Sequence, residues 1–340
     1  MVVPAHHLPG EPGSASGAVL ATFFPMQQRR VGATGLTVSR LGLGTMTWGR
    51  DTDEHEARDQ LIGFAEAGGT LLDTAAGYGN GASEELLGRL IGDVVARDEV
   101  VLATKAGITA KRGGREYNTS RGHLLTTLDA SLRRLGTDHV DLWQVHIWTD
   151  ETPLEETLAA LDTAVQTGRA SYVGISNYTG WQTAQAATWQ RAVPGRAPLA
   201  STQVEYSLLN RAVEHEVVPA AAALGLGVLP WSPLGRGVLT GKYRTGTPSD
   251  SRGASTHFAN FVNAYLDERS AGIVEAVARA ADGLGWTALE VALVWVRDRP
   301  GVTAPIIGAR TAAQLRGALG VEELTLPDEI LAALDDVSAD

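Results

Sequence analysis

Eight short β-rich runs, each followed by a segment with helical patterning, fill most of this 340-residue chain. The predicted strands are 41–44, 70–72, 100–104, 140–145, 170–175, 199–204, 227–230 and 303–307. The predicted helices are 54–67, 83–91, 120–135, 154–167, 180–190, 212–224, 289–297 and 311–319. Such alternation predicts an α/β fold with a parallel sheet and outer helices. Because a doubly wound sheet usually has fewer strands, eight units favour a single closed (β/α)8 TIM barrel.

Four further segments complete the predicted organisation. Residues 28–38 alternate polar and apolar side chains around a glycine-rich turn, which predicts a β-hairpin that plugs the N-terminal mouth of the barrel. A long loop rich in Gly, Pro and Ser follows strand seven at 232–257, and 267–284 has the pattern of an extra helix. We interpret 1–26 as a disordered tail and 27–340 as one barrel domain.

Composition excludes several classes of site and partner. The chain has no cysteine, which rules out disulfides and thiolate metal sites, and we expect no metal site of another kind. A formal net charge of -11 argues against nucleic acid as a main partner. No apolar run approaches the roughly 20 residues that span a bilayer, so we expect no membrane association and a cytoplasmic location. Homo-oligomers are compatible with this composition.

Polar side chains follow three consecutive predicted strands. Asp73 comes directly after strand two, Tyr78 lies in the glycine-rich turn that follows, Lys105 ends strand three and His146 ends strand four. In a (β/α)8 barrel the carboxyl ends of all strands open onto one face, so these side chains are expected to meet there. Ser83, with Glu84 behind it, is expected to cap the next helix.

These four groups together predict a proton-donating site. A phenol has a pKa of about 10, and a neighbouring ammonium group, here that of Lys105, is expected to lower the pKa of Tyr78. Asp73 would keep Lys105 charged, and His146 would hydrogen-bond a substrate oxygen, which suits a carbonyl that becomes an alkoxide. Each residue alone has an ordinary structural explanation, such as a turn aspartate or a lysine that reaches solvent. Their occurrence at strands two, three and four favours the functional interpretation.

Several sequence stretches carry motifs in a fixed order along the chain. They are 72–79 (LDTAAGYG), 83–88 (SEELLG), 103–105 (ATK), 141–146 (DLWQVH), 174–177 (GISN), 203–207 (QVEYS), 231–235 (WSPLG), 241–243 (GKY) and 305–310 (PIIGAR). In these motifs the chain resembles the aldo-keto reductases from about residue 29 to its C-terminus. The loop after strand seven is most similar to the branch of bacterial enzymes and potassium-channel β-subunits.

The resemblance implies roles for particular residues. Tyr78 would be the general acid, tuned by Lys105 and Asp73, and His146 would orient the carbonyl. A nicotinamide dinucleotide would be held without a Rossmann domain, and no G-x-G-x-x-G follows a strand and opens a helix in this chain. The implied cofactor-binding residues are Thr45, Met46, Asp73, Ser176, Asn177, Gln203, Trp231, Ser232, Pro233, Leu234, Gly235, Arg236, Lys242, Arg252, Gly308, Arg310 and Gln314.

The chain departs from the family pattern at the predicted adenine end. Gly317 and Ala318 stand where that branch has an acidic residue and an asparagine, so adenine recognition is expected to be looser. Three cations, Lys242, Arg252 and Arg310, favour a 2′-phosphate, which predicts NADPH (or NADP+) rather than NADH.

The predicted partner is a small-molecule carbonyl substrate, and aromatic side chains are expected to line its pocket. These are Trp48, Trp148, Phe258 and Phe261, which lie on loops after strands one, four and seven and suit an apolar aldehyde or ketone. The favoured function is therefore NADPH-dependent carbonyl reduction to the alcohol. Two alternatives stay open, a catalytically weak NADPH-binding regulatory subunit and a Schiff-base aldolase that uses Lys105.

Overall fold

The computed structural model describes residues 26–111, 114–249, 251–255 and 258–339. Its strands are β1 Gln28–Arg30, β2 Thr37–Ser39, β3 Gly42–Gly44, β4 Leu71–Asp73, β5 Val101–Ala106, β6 Ile108–Lys111, β7 Gly114–Tyr117, β8 Val140–Val145, β9 Ala170–Ser176, β10 Leu199–Glu205, β11 Gly227–Trp231 and β12 Ile306–Ile307. Its α-helices are α1 Glu54–Glu66, α2 Ala82–Leu90, α3 Arg121–Leu135, α4 Leu154–Gln166, α5 Gly180–Ala192, α6 Val217–Ala223, α7 Ala259–Asn263, α8 Glu268–Leu284, α9 Ala288–Arg297, α10 Ala312–Leu319 and α11 Asp328–Val337.

Eight parallel strands close into a barrel in the order β10-β11-β12-β3-β4-β5-β8-β9. Each predicted barrel strand is present, although β12 keeps only two residues. Successive strands pair in register, for example Gly44 with Asp73 and Asp73 with Ala103. This register puts the ends of β3, β4 and β5 side by side, so residues that follow these strands face the same mouth. The predicted (β/α)8 fold is therefore confirmed.

The hairpin β1–β2 closes the opposite mouth, as predicted. Its residues Val31, Leu36 and Val38 are buried in one cluster with residues of the barrel interior, including Leu71 and Leu229. A second, larger cluster fills the layer between the barrel and the outer helices. The two clusters make the barrel a packed core with one open face, which leaves the carboxyl ends of the strands for a site.

Helix ends follow local capping chemistry. Asp53 accepts a hydrogen bond from the Glu56 N–H and begins α1, and Thr287 with Glu290 forms a capping box at α9. Ser83 does not cap α2, which corrects the prediction. The Ser83 hydroxyl is buried and donates to the Thr45 carbonyl at 2.7 Å, and Glu84 is buried against Thr104 and Arg134. The N-terminal turn of α2 therefore ties the ends of β3 and β5 together.

Three elements were not predicted from the sequence. They are the antiparallel hairpin β6–β7 after β5, the short helix α7 in the long loop after β11, and the C-terminal helix α11. The predicted tail lies outside the described residues except for Met26, whose side chain is buried and whose N–H donates to the Ala67 carbonyl at 3.0 Å. Among the described residues, no helix has both the length and the apolar content to cross a membrane.

Candidate active site

Asp73, Lys105 and Tyr78 form one hydrogen-bonded chain at the carboxyl ends of β4 and β5. The Lys105 ammonium donates to Asp73 Oδ1 at 2.6 Å, to the Thr74 carbonyl at 2.8 Å and to Tyr78 Oη at 3.5 Å. Asp73 and Lys105 are buried, and Tyr78 is half-buried. Because an ammonium group has three N–H donors, these contacts use all of them and fix the lysine behind the phenol.

Charge and burial act in opposite directions on this chain. Burial by itself lowers the pKa of Lys105, but the Asp73 carboxylate and the Tyr78 oxygen outweigh it and leave that pKa above its ordinary value. Burial raises the pKa of the Tyr78 phenol, and the Lys105 ammonium opposes the rise only in part. The expected lowering of the pKa of Tyr78 is therefore wrong in sum, because desolvation outweighs the lysine charge and Asp73 adds to the rise. The phenol stays protonated at neutral pH.

His146 faces Tyr78 across the same end of the barrel. The two rings are 5.9 Å apart between centroids and meet edge to face. Burial, together with the positive charges of Lys105 and Arg115, holds the pKa of His146 well below 6.5. The imidazole is therefore neutral at physiological pH, and its Nδ1 has no hydrogen-bond partner among the described residues. The four predicted catalytic residues come together in one place.

A cavity of about 790 Å³ opens above these groups. Its lining includes Tyr78 and His146 at one end and residues of α10 at the other. This volume lies in the usual range for small-molecule and cofactor pockets. Lys105 does not line the cavity and is fully buried, so it acts on the cavity through Tyr78 and Asp73.

Polar side chains from β9 and β10 form a fixed patch beside His146. The Asn177 amide donates to the His146 carbonyl at 2.9 Å and to Ser176 Oγ at 3.1 Å, and it accepts from Trp231 Nε1 at 3.0 Å. Gln203 Nε2 donates to Asp73 Oδ2 at 2.9 Å. Gln203 Oε1 accepts no hydrogen bond from a described residue, although Gln203 lines the cavity. An amide acceptor on this wall, next to an indole, suits a carboxamide-bearing aromatic ring such as nicotinamide.

The loop after β11 is held over the cavity by Arg236. Its guanidinium contacts both oxygens of Glu205 at 2.8 and 2.7 Å, and it donates to the Phe261 carbonyl of α7 at 2.6 Å. It also lies 3.8 Å from the centroid of the Phe261 ring. Arg236 lines the cavity, but its charge is already paired, so we expect it to fasten the loop rather than to bind a phosphate.

The far end of the cavity is crowded with positive charge. Lys242, Arg252 and Arg310 line it together with Gly308 and Gln314. Burial lowers the pKa of Arg252, and the positive charge of Arg310 lowers it further. Gln314 Oε1 accepts from the Arg310 N–H at 3.0 Å at the start of α10. Two arginines that repel one another next to a helix N-terminus favour an anionic ligand here, as a dinucleotide with phosphate groups would provide.

Most of the predicted cofactor residues line the cavity, but two do not. Met46, Ser232, Pro233 and Leu234 are on its wall. Thr45 is buried behind the wall, where its hydroxyl is 2.7 Å from Ser83 Oγ. Gly235 takes φ +54°, and a Cβ there would lie 2.6 Å from the Leu209 side chain, so it allows the loop to turn instead of contacting a ligand.

Two of the four predicted substrate-pocket aromatics are misplaced. Phe258 and Phe261 line the cavity. Trp48 is fully buried, and its Nε1 donates to Gln60 in α1 at 3.2 Å, so it belongs to the core. Trp148 packs edge to face against Tyr178 and bonds Asp150, away from the cavity. In both cases the indole N–H donates a hydrogen bond that holds the ring away from the cavity.

The cavity also has wall residues that were not predicted. The hairpin β6–β7 contributes Ile108, Arg115 and Tyr117, and the start of α9 contributes Thr287, Leu289 and Glu290. Gly317 and Ala318, where the family pattern breaks, also line the cavity. Only the run of strand-forming residues at 108–111 could have indicated the hairpin. Among the described residues, no group of three or more His, Asp or Glu side chains is placed to hold a metal ion.

A closed (β/α)8 barrel with a lysine-supported tyrosine and a histidine at its open mouth defines a class of barrel oxidoreductases. Residues 40–339 match the model of the aldo/keto reductase family, and this chain belongs to that family. Its members generally use NAD(P)H. The chain is therefore an oxidoreductase of the aldo-keto reductase family, a resemblance that the sequence motifs had indicated.

Curated relatives match this chain over nearly their whole length. The oxidoreductase YrpG of Bacillus subtilis (strain 168) is 40% identical, covering 92% of this chain and 96% of its own. The L-glyceraldehyde 3-phosphate reductase of Escherichia coli (strain K12) is 35% identical over 93% of each chain. A probable voltage-gated potassium channel subunit beta of Oryza sativa subsp. japonica is 34% identical, covering 90% of this chain and 94% of its own. Both a reductase and channel subunits are thus among the relatives.

Proposed function

We propose that this protein reduces the carbonyl group of small aldehydes or ketones to the alcohol, with NADPH as the reductant and Tyr78 as the proton donor. The observation that supports this most is the arrangement of four groups. Tyr78 and His146 share the wall of one cavity. Behind Tyr78, the Lys105 ammonium lies 3.5 Å from the phenol oxygen and 2.6 Å from Asp73 Oδ1.

Each of the four residues has a distinct task in this proposal. When bound, the dinucleotide supplies a hydride to the carbonyl carbon. Tyr78 gives its proton to the carbonyl oxygen, and Lys105 stabilises the phenolate that forms. Asp73 keeps Lys105 charged and in position, because it accepts the shortest of the lysine hydrogen bonds. His146 is neutral and orients the carbonyl oxygen toward Tyr78. The phenolate regains a proton from solvent before the next turnover.

The rest of the cavity wall would hold the dinucleotide. Ser176, Asn177 and Gln203 offer amide and hydroxyl groups to the nicotinamide carboxamide, and Trp231 offers an aromatic face. The backbone of Ser232, Pro233 and Leu234 would cover the pyrophosphate. Lys242, Arg252 and Arg310 supply the positive charge that favours the 2′-phosphate of NADPH over the ribose hydroxyl of NADH.

The substrate end of the cavity mixes apolar and charged groups. Ile108, Ile147 and Phe261 line the cavity and suit a short aliphatic or aromatic chain. Phe258 also lines the cavity, but the Arg252 guanidinium lies 5.9 Å from the centroid of its ring, toward the basic end. The E. coli relative is named for L-glyceraldehyde 3-phosphate, so this aldehyde belongs in a substrate panel beside neutral aldehydes and ketones. Action in the cytoplasm, and the state of association of the chain, stay predictions.

The two alternative functions have less support. A Schiff base needs a neutral amine that reaches the substrate, whereas Lys105 is fully buried, does not line the cavity and has a raised pKa. This argues against the aldolase. A regulatory subunit without turnover would use the same cofactor site, and no feature of the described residues favours it over the reductase.

Oxidation of NADPH in the presence of aldehydes, ketones and sugar-derived carbonyls tests the proposal directly. We expect turnover of at least one carbonyl class with NADPH, and a lower Km for NADPH than for NADH. NADPH binding without turnover of any carbonyl would reject the reductase and favour the regulatory subunit. Trapping of a substrate on Lys105 by borohydride would instead revive the aldolase.

A further inference from the structure

One face of the hairpin β6–β7 lines the active-site cavity. Ile108 pairs with Tyr117, and Ala110 pairs with Arg115. Since alternate residues of a strand point to the same side, Arg115 and Tyr117 share a face, and both line the cavity, while Glu116 between them does not. Arg115 is thereby directed toward the cavity by the register of a two-stranded sheet.

The hairpin lies directly against the turn that carries Tyr78. A Cβ on Gly77 would be 2.7 Å from the Ile108 carbonyl oxygen, so glycine permits this close approach. Arg115 is consequently close enough to the reacting end for its positive charge to lower the pKa of both Tyr78 and His146. These effects agree with its position on the shared cavity wall.

Among the described residues, Arg115 differs from the other cations near the catalytic end in having no carboxylate partner. Lys105 is paired with Asp73, and Arg236 is paired with Glu205. Within the described part of the chain, no carboxylate or carbonyl group pairs with the Arg115 guanidinium. The arginines at the far end, Arg252 and Arg310, lie beside α10 and would be met by cofactor phosphates. Arg115 is exposed at the cavity wall, where water solvates its charge and where an anionic group on a substrate would pair with it.

We infer that Arg115 is a specificity-determining residue that binds an anionic group, a carboxylate or a phosphate, on a short-chain aldehyde or ketone. The inference rests on the proposed function for the identity of the carbonyl but not for the anion site itself. A guanidinium fork matches both oxyanions through paired hydrogen bonds. The apolar residue Ile108, opposite Tyr117 on the same face, would contact the carbon chain between the anion and the carbonyl.

Matched substrate pairs and charge variants test the inference. The pairs are 4-oxobutanoate with butanal, for a carboxylate, and glyceraldehyde 3-phosphate with glyceraldehyde, for a phosphate. For each pair, the relevant ratio is kcat/KM for the anionic substrate divided by kcat/KM for the neutral one. We expect Arg115→Gln to lower this ratio by about 10- to 100-fold, the usual effect of one hydrogen-bonded charge. Arg115→Lys should recover part of the ratio, because it keeps the charge but not the fork. The pair with the larger loss identifies which oxyanion the site prefers.

Arg121→Gln is the matched control. Arg121 begins α3, donates to Thr163 at 3.2 Å and does not line the cavity. This variant removes the same charge from the same connection between β5 and β8, and both ratios should stay as in the wild type. Equal ratios in wild type and Arg115→Gln, for both pairs, would overturn the inference while leaving the reductase proposal intact.

A binding measurement separates the two proposals. Calorimetric titration of the protein, saturated with NADP+, with glycerol 3-phosphate, succinate and neutral glycerol needs no turnover. We expect at least one of the two anions to bind about tenfold more weakly to Arg115→Gln than to wild type. If this difference appears but no carbonyl is reduced, the anion site stands and the reductase fails. If both anions bind equally to both proteins, the anion site is rejected whatever the turnover.

Discussion

The Tyr78 phenol keeps its proton at neutral pH, and a neighbouring cation favours release of that proton during the reaction. Its pKa is raised by burial, so the acid is protonated throughout the physiological range, and Lys105 lies 3.5 Å away to stabilise the phenolate. We expect Tyr78→Phe to keep NADPH binding but lose about 10²- to 10⁴-fold in kcat, the usual share of a general acid. Fluorescence titration and steady-state kinetics measure the two effects.

Tyr178→Phe provides the control for Tyr78→Phe. Tyr178 is buried against Trp148 and does not line the cavity, so loss of its hydroxyl should leave kcat unchanged. Normal aldehyde reduction by Tyr78→Phe would show that another group supplies the proton.

His146 should make the protein sensitive to acid. Its pKa is well below 6.5 in the folded protein, so in acid the unfolded chain takes up the proton first. The contribution of His146 to the free energy of unfolding is full above about pH 6.5. As the pH falls further, this contribution decreases by up to about 1.4 kcal/mol per pH unit, until the pKa of His146 in the folded protein is reached. His146→Gln should therefore lose less unfolding free energy than wild type between about pH 7 and 5. Urea unfolding at several pH values measures the difference.

An exposed histidine supplies the comparison. His55 on α1 has a side chain that is 83% exposed, and His55→Gln should keep the wild-type fall in stability with acid. The same fall in His146→Gln and wild type would contradict the assignment of a neutral imidazole at His146.

The sequence predicted the positions of the four proposed catalytic side chains better than it predicted the pocket around them. Asp73 and Lys105 lie at the carboxyl ends of β4 and β5, and His146 directly follows β8, so the position of the strand end largely determines where each side chain lies. Trp48 and Trp148 lie in loops, and the side to which a loop side chain turns depends on distant partners. Gln60 binds the indole of Trp48, and Tyr178 packs on Trp148. Such contacts are not encoded in local sequence pattern.

At the scale of elements, Arg236 joins the loop after β11 to the barrel and to α7. Removal of its side chain would leave the nearly buried Glu205 carboxylate without its paired guanidinium and release the Phe261 carbonyl. We expect Arg236→Gln to lower the free energy of unfolding by about 3 kcal/mol, as for other buried pairs that lose one partner. Faster hydrogen exchange in α7, measured by mass spectrometry, should accompany this loss.

Arg244→Gln controls for the loss of an ion pair alone. Arg244 and Glu275 are 2.7 Å apart, but their side chains are 47% and 41% exposed. Exposed pairs contribute at most about 1 kcal/mol, so this variant should change little. If Arg236→Gln and Arg244→Gln had the same free energy of unfolding, Arg236 would not be the residue that holds the loop in place.

The regular elements were predicted because their sequence periods are strong. The short elements were missed because their sequence periods are weak. The barrel strand β8 lies where the β-rich run at 140–145 indicated it. The hairpin β6–β7 has strands of only four residues each, and in sequence such short strands resemble a plain loop. A two-stranded ribbon of this length is marginal by itself. It is held here by its contact with the Tyr78 turn, which only the folded barrel provides.

On the scale of the whole molecule, an acidic chain carries a basic cleft. The formal net charge is -11, yet Lys242, Arg252 and Arg310 gather at one end of the cavity. Burial and the charge of Arg310 lower the pKa of Arg252, so these two arginines repel one another without a ligand. A ligand with an additional phosphate should relieve this repulsion and stabilise the fold.

NADPH should therefore stabilise the protein more than NADH at equal concentration. A ligand at 100 times its dissociation constant adds about 2.7 kcal/mol to the unfolding free energy, so a tenfold difference in affinity appears as about 1.4 kcal/mol. Arg310→Gln should remove most of that difference, because Arg310 lies beside Arg252 at the start of α10. Arg316→Gln, on the same helix but away from the cavity wall, should keep it. Thermal unfolding with each dinucleotide measures these shifts. Equal stabilisation of wild type by NADPH and NADH would mean that the basic end binds only the pyrophosphate that both dinucleotides share.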